Sequence, residues 1–107
     1  MDTNCSAQLD ALGDGTRRAI LARLLKEGPL PVGKLAMEFP MSRPAISQHL
    51  RVLKRANLVT DRADGARRLY AVNPDALASL RTHFERFWTE ALETFKQRVE
   101  APTKKER

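Results

Sequence analysis

The stretch V-G-K-L-A-M-E-F-P-M-S-R-P-A-I-S-Q-H-L-R-V-L-K-R-A-N-L-V, Val32 to Val59, decides the fold. It reads as a short helix, a turn marked by Pro40, and a second helix with one apolar and one basic face. Pro31 suits the start of the short helix. Val32, Leu35 and Ala36 make its apolar side. Pro40 forbids continuation and pushes Phe39 out of the helical region. Ser42 suits the cap of the second helix, because its hydroxyl oxygen can accept a free amide hydrogen of the first turn. That helix is expected over 42–55. At about 100° per residue, Ile46, Leu50 and Leu53 cluster on one side, flanked by Ser42, His49 and Ala56. Ser47, Gln48, Arg51, Lys54 and Arg55 lie opposite. The first set has to be buried. The second offers what a major groove takes: Arg and Lys for guanine edges or phosphate, Gln for adenine, Ser47 for phosphate or a base edge. A second helix of this kind is built to lie in the major groove of DNA. The plain alternative is a solvated helix face.

Toward the N-terminus, Ser6 to Leu12 reads as a short helix ended by Gly13. Asp14 then caps a helix running to about Lys26. Ile20, Leu21, Leu24 and Leu25 fall on one stripe of it, which is core by periodicity. Gly28 and Pro29 break it. Toward the C-terminus, L-V-T-D-R-A-D-G-A-R-R-L-Y-A-V holds two β-prone runs around Asp64-Gly65, a strong short-range hairpin signal. Asn73-Pro74-Asp75 supplies a cap, a proline at the first helical position and an acid near the positive helix end. The last helix, about Pro74 to Glu100, spans roughly 40 Å at 1.5 Å per residue. The tail from Pro102 to Arg107 is expected to fray. With no internal repeat or low-complexity linker, residues 1–107 read as a single domain.

Charge is concentrated. The chain of 107 residues carries 19 Lys and Arg against 13 Asp and Glu, a net +6, with a pI near 10.1. Arg43, Arg51, Lys54, Arg55, Arg62, Arg67 and Arg68 face only Asp61 and Asp64 in the interval 43–68. Phosphate binding scales with the charges that reach the backbone together, so this clustering counts for more than the total. A basic hairpin beside such a helix can reach the next minor groove or its phosphates. Otherwise these arginines serve only to keep an edge strand soluble. For His49, a partly buried ring bonded to backbone and a phosphate contact stand level.

Phe84, Phe87, Trp88 and Phe95 put most of the aromatic residues on the last helix. With Leu77, Leu80, Ala91, Leu92 and Val99 they make a stripe too wide for one small core. Part should pack on the body and part on a partner. A twofold homodimer is the economical solution, with Leu80, Phe84, Phe87, Trp88, Ala91 and Phe95 at its interface. It would present two basic helices to half-sites about 34–36 Å apart.

Other classes find less support. The single cysteine, Cys5, excludes an intrachain disulfide and suits a reducing cytosol. The N-terminus lacks the apolar core of a signal peptide, and no run approaches the roughly 18 apolar residues of a membrane span. A cytoplasmic protein with no membrane partner is expected. No phosphate loop, nucleophile elbow or spaced nucleophile and base indicates an enzyme. No catalytic residue and no cofactor are therefore expected. A protein-interaction module, with the basic helix on an acidic partner, is the competing reading. Cys5, near the terminus, reads as incidental beside the idea of a redox switch.

Three blocks now carry a resemblance: A-L-G-D-G-T-R-R-A-I-L-A-R-L-L (11–25), S-R-P-A-I-S-Q-H-L-R-V-L-K-R-A-N-L-V (42–59) and G-A-R-R-L-Y-A-V-N-P-D-A-L (65–77). In this order and spacing the chain, from Leu9 to Phe95, resembles the ArsR-type winged-helix repressors of bacteria. The resemblance implies a mainly α fold with a small β-hairpin: a winged helix-turn-helix of four helices, a wing and a long C-terminal dimerisation helix. The helix-turn-helix would cover about 31–56, the wing about 58–72 and the dimerisation helix about 74–100. It also implies a homodimeric repressor on an inverted-repeat operator. Residues 42–55 would enter the major groove and 61–68 would rest on adjacent backbone or minor groove. Ser47, Gln48, His49 and Arg51 would meet DNA, with Arg67 or Arg68 in the wing. Ser42, Arg43, Lys54, Arg55 and Arg62 complete the expected contact set. The remaining expected partner is an unidentified inducer. Two departures stand out. The family's metal sites use a cysteine pair before the recognition helix or Asp and His pairs on the last helix. Here L-A-M-E-F-P-M-S has no cysteine and the last helix has His83 alone, so no metal site is expected. Gly15 also stands where the family often has proline.

Overall fold

A computed structural model describes residues 3–100; the expected fraying of 102–107 lies outside them. The described elements are α1 (Thr3–Ala11), α2 (Gly15–Glu27), β1 (Leu30–Pro31), α3 (Val32–Glu38), α4 (Arg43–Arg55), β2 (Val59–Asp64), β3 (Arg67–Val72) and α5 (Pro74–Glu100). The strands form an antiparallel sheet of order β1-β3-β2.

The helix ends follow from specific side chains. Asp14 caps α2, its carboxylate accepting from the Arg17 amide at 3.0 Å. In return Arg17 Nε and Arg18 Nη1 each donate at 2.6 Å to the carbonyls of Ala11 and Leu12, the unpaired acceptors at the end of α1. Gly28, at φ 85°, closes α2, its amide donating to Leu24 O at 2.9 Å. Phe39 is extended before Pro40, with φ −117° and ψ 142°, and that stops α3. Ser42 Oγ accepts from the Ala45 amide at 3.3 Å at the start of α4. At the other end Asn57 takes φ 67°. The amides of Asn57 and Leu58 then return to Lys54 O at 2.9 Å and Leu53 O at 3.0 Å. This is a Schellman closure, and its apolar partners Leu53 and Leu58 are both fully buried.

Ile20, Leu21 and Leu24 of α2, Leu35 of α3, Ile46, Leu50 and Leu53 of α4, and Leu58 and Val59 share one core with Ala76 of α5. The i, i+4, i+7 stripe of α4 is wholly inside. Truncating any of these leucines to alanine costs about 2–5 kcal/mol. Leu25 departs from the expected stripe: it is 58% exposed, because the α2 face that meets the sheet and α4 holds three aliphatics and not four.

Two further details differ from expectation, and a third is new. Pro31 is not the first residue of α3 but pairs with Leu69 as the end of a two-residue strand, and it stands at the cap position of α3. The hairpin loop is Gly65-Ala66, because Asp64 pairs with Arg67. Gly65 has φ 65°, as the first position of a two-residue turn requires. Gln8 is an amide inside the core at 1% exposure, and neither of its polar atoms has a hydrogen-bond partner among the described residues.

Candidate nucleic-acid interface

The outer face of α4 and the β2–β3 hairpin stand side by side. Arg43, Gln48, Arg51, Lys54 and Arg55 are exposed on α4, as are Arg62, Arg67 and Arg68 on the hairpin. The Arg43 guanidinium lies across the first turn of α3, about 3.8 Å from where a Cβ on Gly33 would stand. Arg43, half-buried Ser47, Arg67, Arg68 and Tyr70 line a cleft of about 250 Å³ between the start of α4 and the hairpin. Three arginines thus line that cleft.

Gln48 and Arg51 form a unit. Arg51 Nη1 donates to Gln48 Oε1 along one turn of α4. The contact uses one of the two lone pairs of the amide oxygen and leaves the remaining guanidinium and amide N–H donors outward. Those donors match acceptor edges, guanine O6 and N7 or phosphate.

Three of the expected cations form ion pairs within the chain. Asp61 Oδ1 lies 2.8 Å from Lys54 Nζ, and its Oδ2 accepts from Arg68 Nε at 2.8 Å. The hydrogen bond from Lys54, then that from Arg68, holds the Asp61 carboxyl below the usual carboxylate range. Arg67 pairs with Asp64 at 3.2 Å at the hairpin tip. For Arg43, Arg55 and Arg62 there is no ion pair among the described residues. Asp61 and Tyr70 were not anticipated. The signal for Asp61 was present, as one of two acids in a strongly basic interval.

His49 sits apart from this face. It is half-buried, and its charge contributes to lowering Asp14, whose carboxyl is held down first by the Arg17 amide. The ring therefore lies toward the start of α2. Ser42 is exposed and serves as the cap.

A second surface lies on α5. Ala76 and Leu80 bury its first turns. Leu80, expected at a partner, is 6% exposed and packs within its own chain, because α1 rests on this end of α5. Beyond it Phe84, Phe87, Trp88, Leu92, Phe95 and Val99 are exposed, Phe95 to 65%, with Ala91 half-buried among them. Phe87 and Trp88 meet edge to face at 5.7 Å. Cys5 is not at a loose end: it is buried in α1, beside a groove of about 400 Å³ lined by Asp75, Ser79, Thr82, His83 and Arg86. No helix among the described residues is long and apolar enough to cross a membrane.

A helix-turn-helix domain family matches residues 12–62. The chain is 57% identical over 91 residues to the HTH-type transcriptional regulator Rv2034 of Mycobacterium tuberculosis, covering 85% of this chain and 84% of that one. It is 42% identical over 67 residues to the transcriptional repressor SdpR of Bacillus subtilis, covering 63% and 73%. The fold matches an ArsR-like transcriptional regulator from Rhodococcus sp. RHA1 with a TM-score of 0.75 and 30% identity, over 88% of this chain and 91% of that one.

Proposed function

Since the chain belongs to the ArsR-type family of winged helix-turn-helix transcriptional regulators, which bind DNA and are not enzymes, we propose that it is a homodimeric repressor of an inverted-repeat operator. Residues 1–107 act as one domain in this reading. In it, α4 is the recognition helix and the β2–β3 hairpin is the wing.

The observation that carries the reading is the cationic face itself. Exposed Arg43, Arg51 and Arg55 on α4 adjoin exposed Arg62 and Arg67 on the hairpin, with the Arg-lined cleft between them. In major-groove binding α4 presents its outer side to base edges, and the hairpin follows the phosphates. The outward donors of Arg51 suit a guanine edge in the half-site. Twofold pairing is supported by the exposed aromatic stripe of α5, since so large an apolar surface is unusual on a monomer. Repression is supported by the likeness to a transcriptional repressor. Release by an unidentified inducer completes the cycle.

Selection from a randomised duplex library, followed by sizing of the complex, tests the proposal. An enriched inverted repeat bound by two copies is the expected result. A protein that retards no duplex at low salt, or that binds as a single copy, overturns it.

A further inference from the structure

We propose that Asp61 is a positioning residue of the DNA surface, withholding Lys54 and Arg68 from non-specific phosphate and fixing the wing against the recognition helix. This rests on the DNA-binding reading above.

Three elements meet at this carboxylate. Lys54 comes from the last turn of α4, Asp61 from β2 and Arg68 from β3. Each oxygen serves one cation, both at 2.8 Å. The cations are more than half exposed, whereas the Asp61 side chain is only 9% exposed. The carboxylate is thus the enclosed member, and it occupies the place that a phosphate oxygen would take for both donors. Asp64 does no such bridging: it holds only Arg67, three residues away on the same turn, and is 45% exposed.

The consequence is selectivity. Non-specific affinity rises with each cation that reaches phosphate, with a salt slope of about 0.9 per contact. Two cations committed to Asp61 are subtracted from that sequence-blind attraction. The same bridge ties the angle of the hairpin to α4, so the wing and base-reading side chains meet duplex together.

Asp61→Asn keeps the shape and removes the charge. Asp64→Asn adds the same charge one strand turn away and frees Arg67 alone. Binding of a selected and an unrelated duplex is measured across a salt series, with circular dichroism to verify folding. For Asp61→Asn the non-specific salt slope is expected to steepen by about 1–2, and the ratio of selected to unrelated affinity to fall about tenfold. For Asp64→Asn the slope changes by no more than about 1 and the ratio holds. If the two variants behave alike, or if Asp61→Asn moves neither quantity, the proposal is overturned while DNA binding stands. Wild-type protein that binds no duplex overturns both readings. Should Asp61→Asn unfold, Asp61→Glu carries the test. It retains the charge, so the non-specific slope holds while the longer arm resets the wing and lowers the ratio; an unchanged ratio overturns the proposal.

Discussion

Asn73 Nδ2 donates to the carbonyl of Asn57 at 3.0 Å, sixteen residues away, and so joins the end of α4 to the start of α5. The Asn73 amide also donates to Leu58 O at 2.9 Å, while Asn73 Oδ1 accepts from the Asp75 amide at 3.2 Å. One side chain thereby closes α4 and opens the helix carrying the aromatic stripe. Asn73→Ala loses both side-chain bonds and should cost about 1–2 kcal/mol. Asn57 sits at φ 67°, so Asn57→Gly should be nearly neutral. Asn57→Ala should cost about 1–2 kcal/mol. Urea unfolding of the three variants checks the order.

Base reading and phosphate holding separate by their salt dependence. Gln48→Ala or Arg51→Ala should cost about 1–3 kcal/mol on the selected operator and relax preference at one half-site position. Arg62→Ala should weaken all sequences alike and reduce the salt slope by about 1. Anisotropy titrations at four salt concentrations distinguish the patterns. A uniform loss for Arg51→Ala would move that residue to the backbone.

The α5 stripe predicts concentration-dependent stability. Wild-type Tm should rise with protein concentration, as for any species stabilised by association. Trp88, 57% exposed in one copy, should be covered in the pair. Trp88→Asp should yield a folded monomer in sedimentation equilibrium with much weaker operator binding. A dimeric Trp88→Asp would place the interface elsewhere.

Gln8 carries a cost that can be removed. A buried amide without partners among the described residues forfeits about 1–3 kcal/mol of desolvation. Gln8→Met has similar length and no such groups, so thermal unfolding should rise by several degrees. A fall would mean that the amide has an interaction worth more than its burial.

Acid should loosen the wing. The Asp61 carboxyl lies below its ordinary value of 3.8, through Lys54 first and Arg68 second. A depressed carboxylate contributes stability fully present above the unfolded value and lost as pH falls through the folded one. Wild type should therefore lose stability below about pH 4 more steeply than Asp61→Asn. Equal acid limbs in chemical denaturation would refute the contribution.

Much of this was legible in local pattern. The Ile46, Leu50, Leu53 stripe, the caps at Asp14 and Ser42, and the turn near Gly65 depend on residues within a few positions of each other. So does the cationic outer face of α4. What escaped was tertiary. β1 is two residues long and exists only because β3 supplies partners at Leu69 and Tyr70. Leu25 and Leu80 both fit an apolar stripe, but neighbouring elements decide which stripe members are covered: the α2 face has no room for the first, and α1 shelters the second. The Asp61 bridge links positions 54, 61 and 68, a seven-residue spacing with no meaning on a strand until β2 and β3 pair. The Arg17 and Arg18 bonds to α1 likewise depend on how two helices meet.

Pro31 closes the outer margin of the sheet. A proline offers no amide hydrogen, so β1 makes a poor template for another chain's backbone. The opposite margin, β2, carries Asp61, Arg62 and Asp64, which discourage the same stacking. Runaway fibre growth through the strands is thereby disfavoured, and the exposed stripe of α5 is the apolar surface left open to a partner.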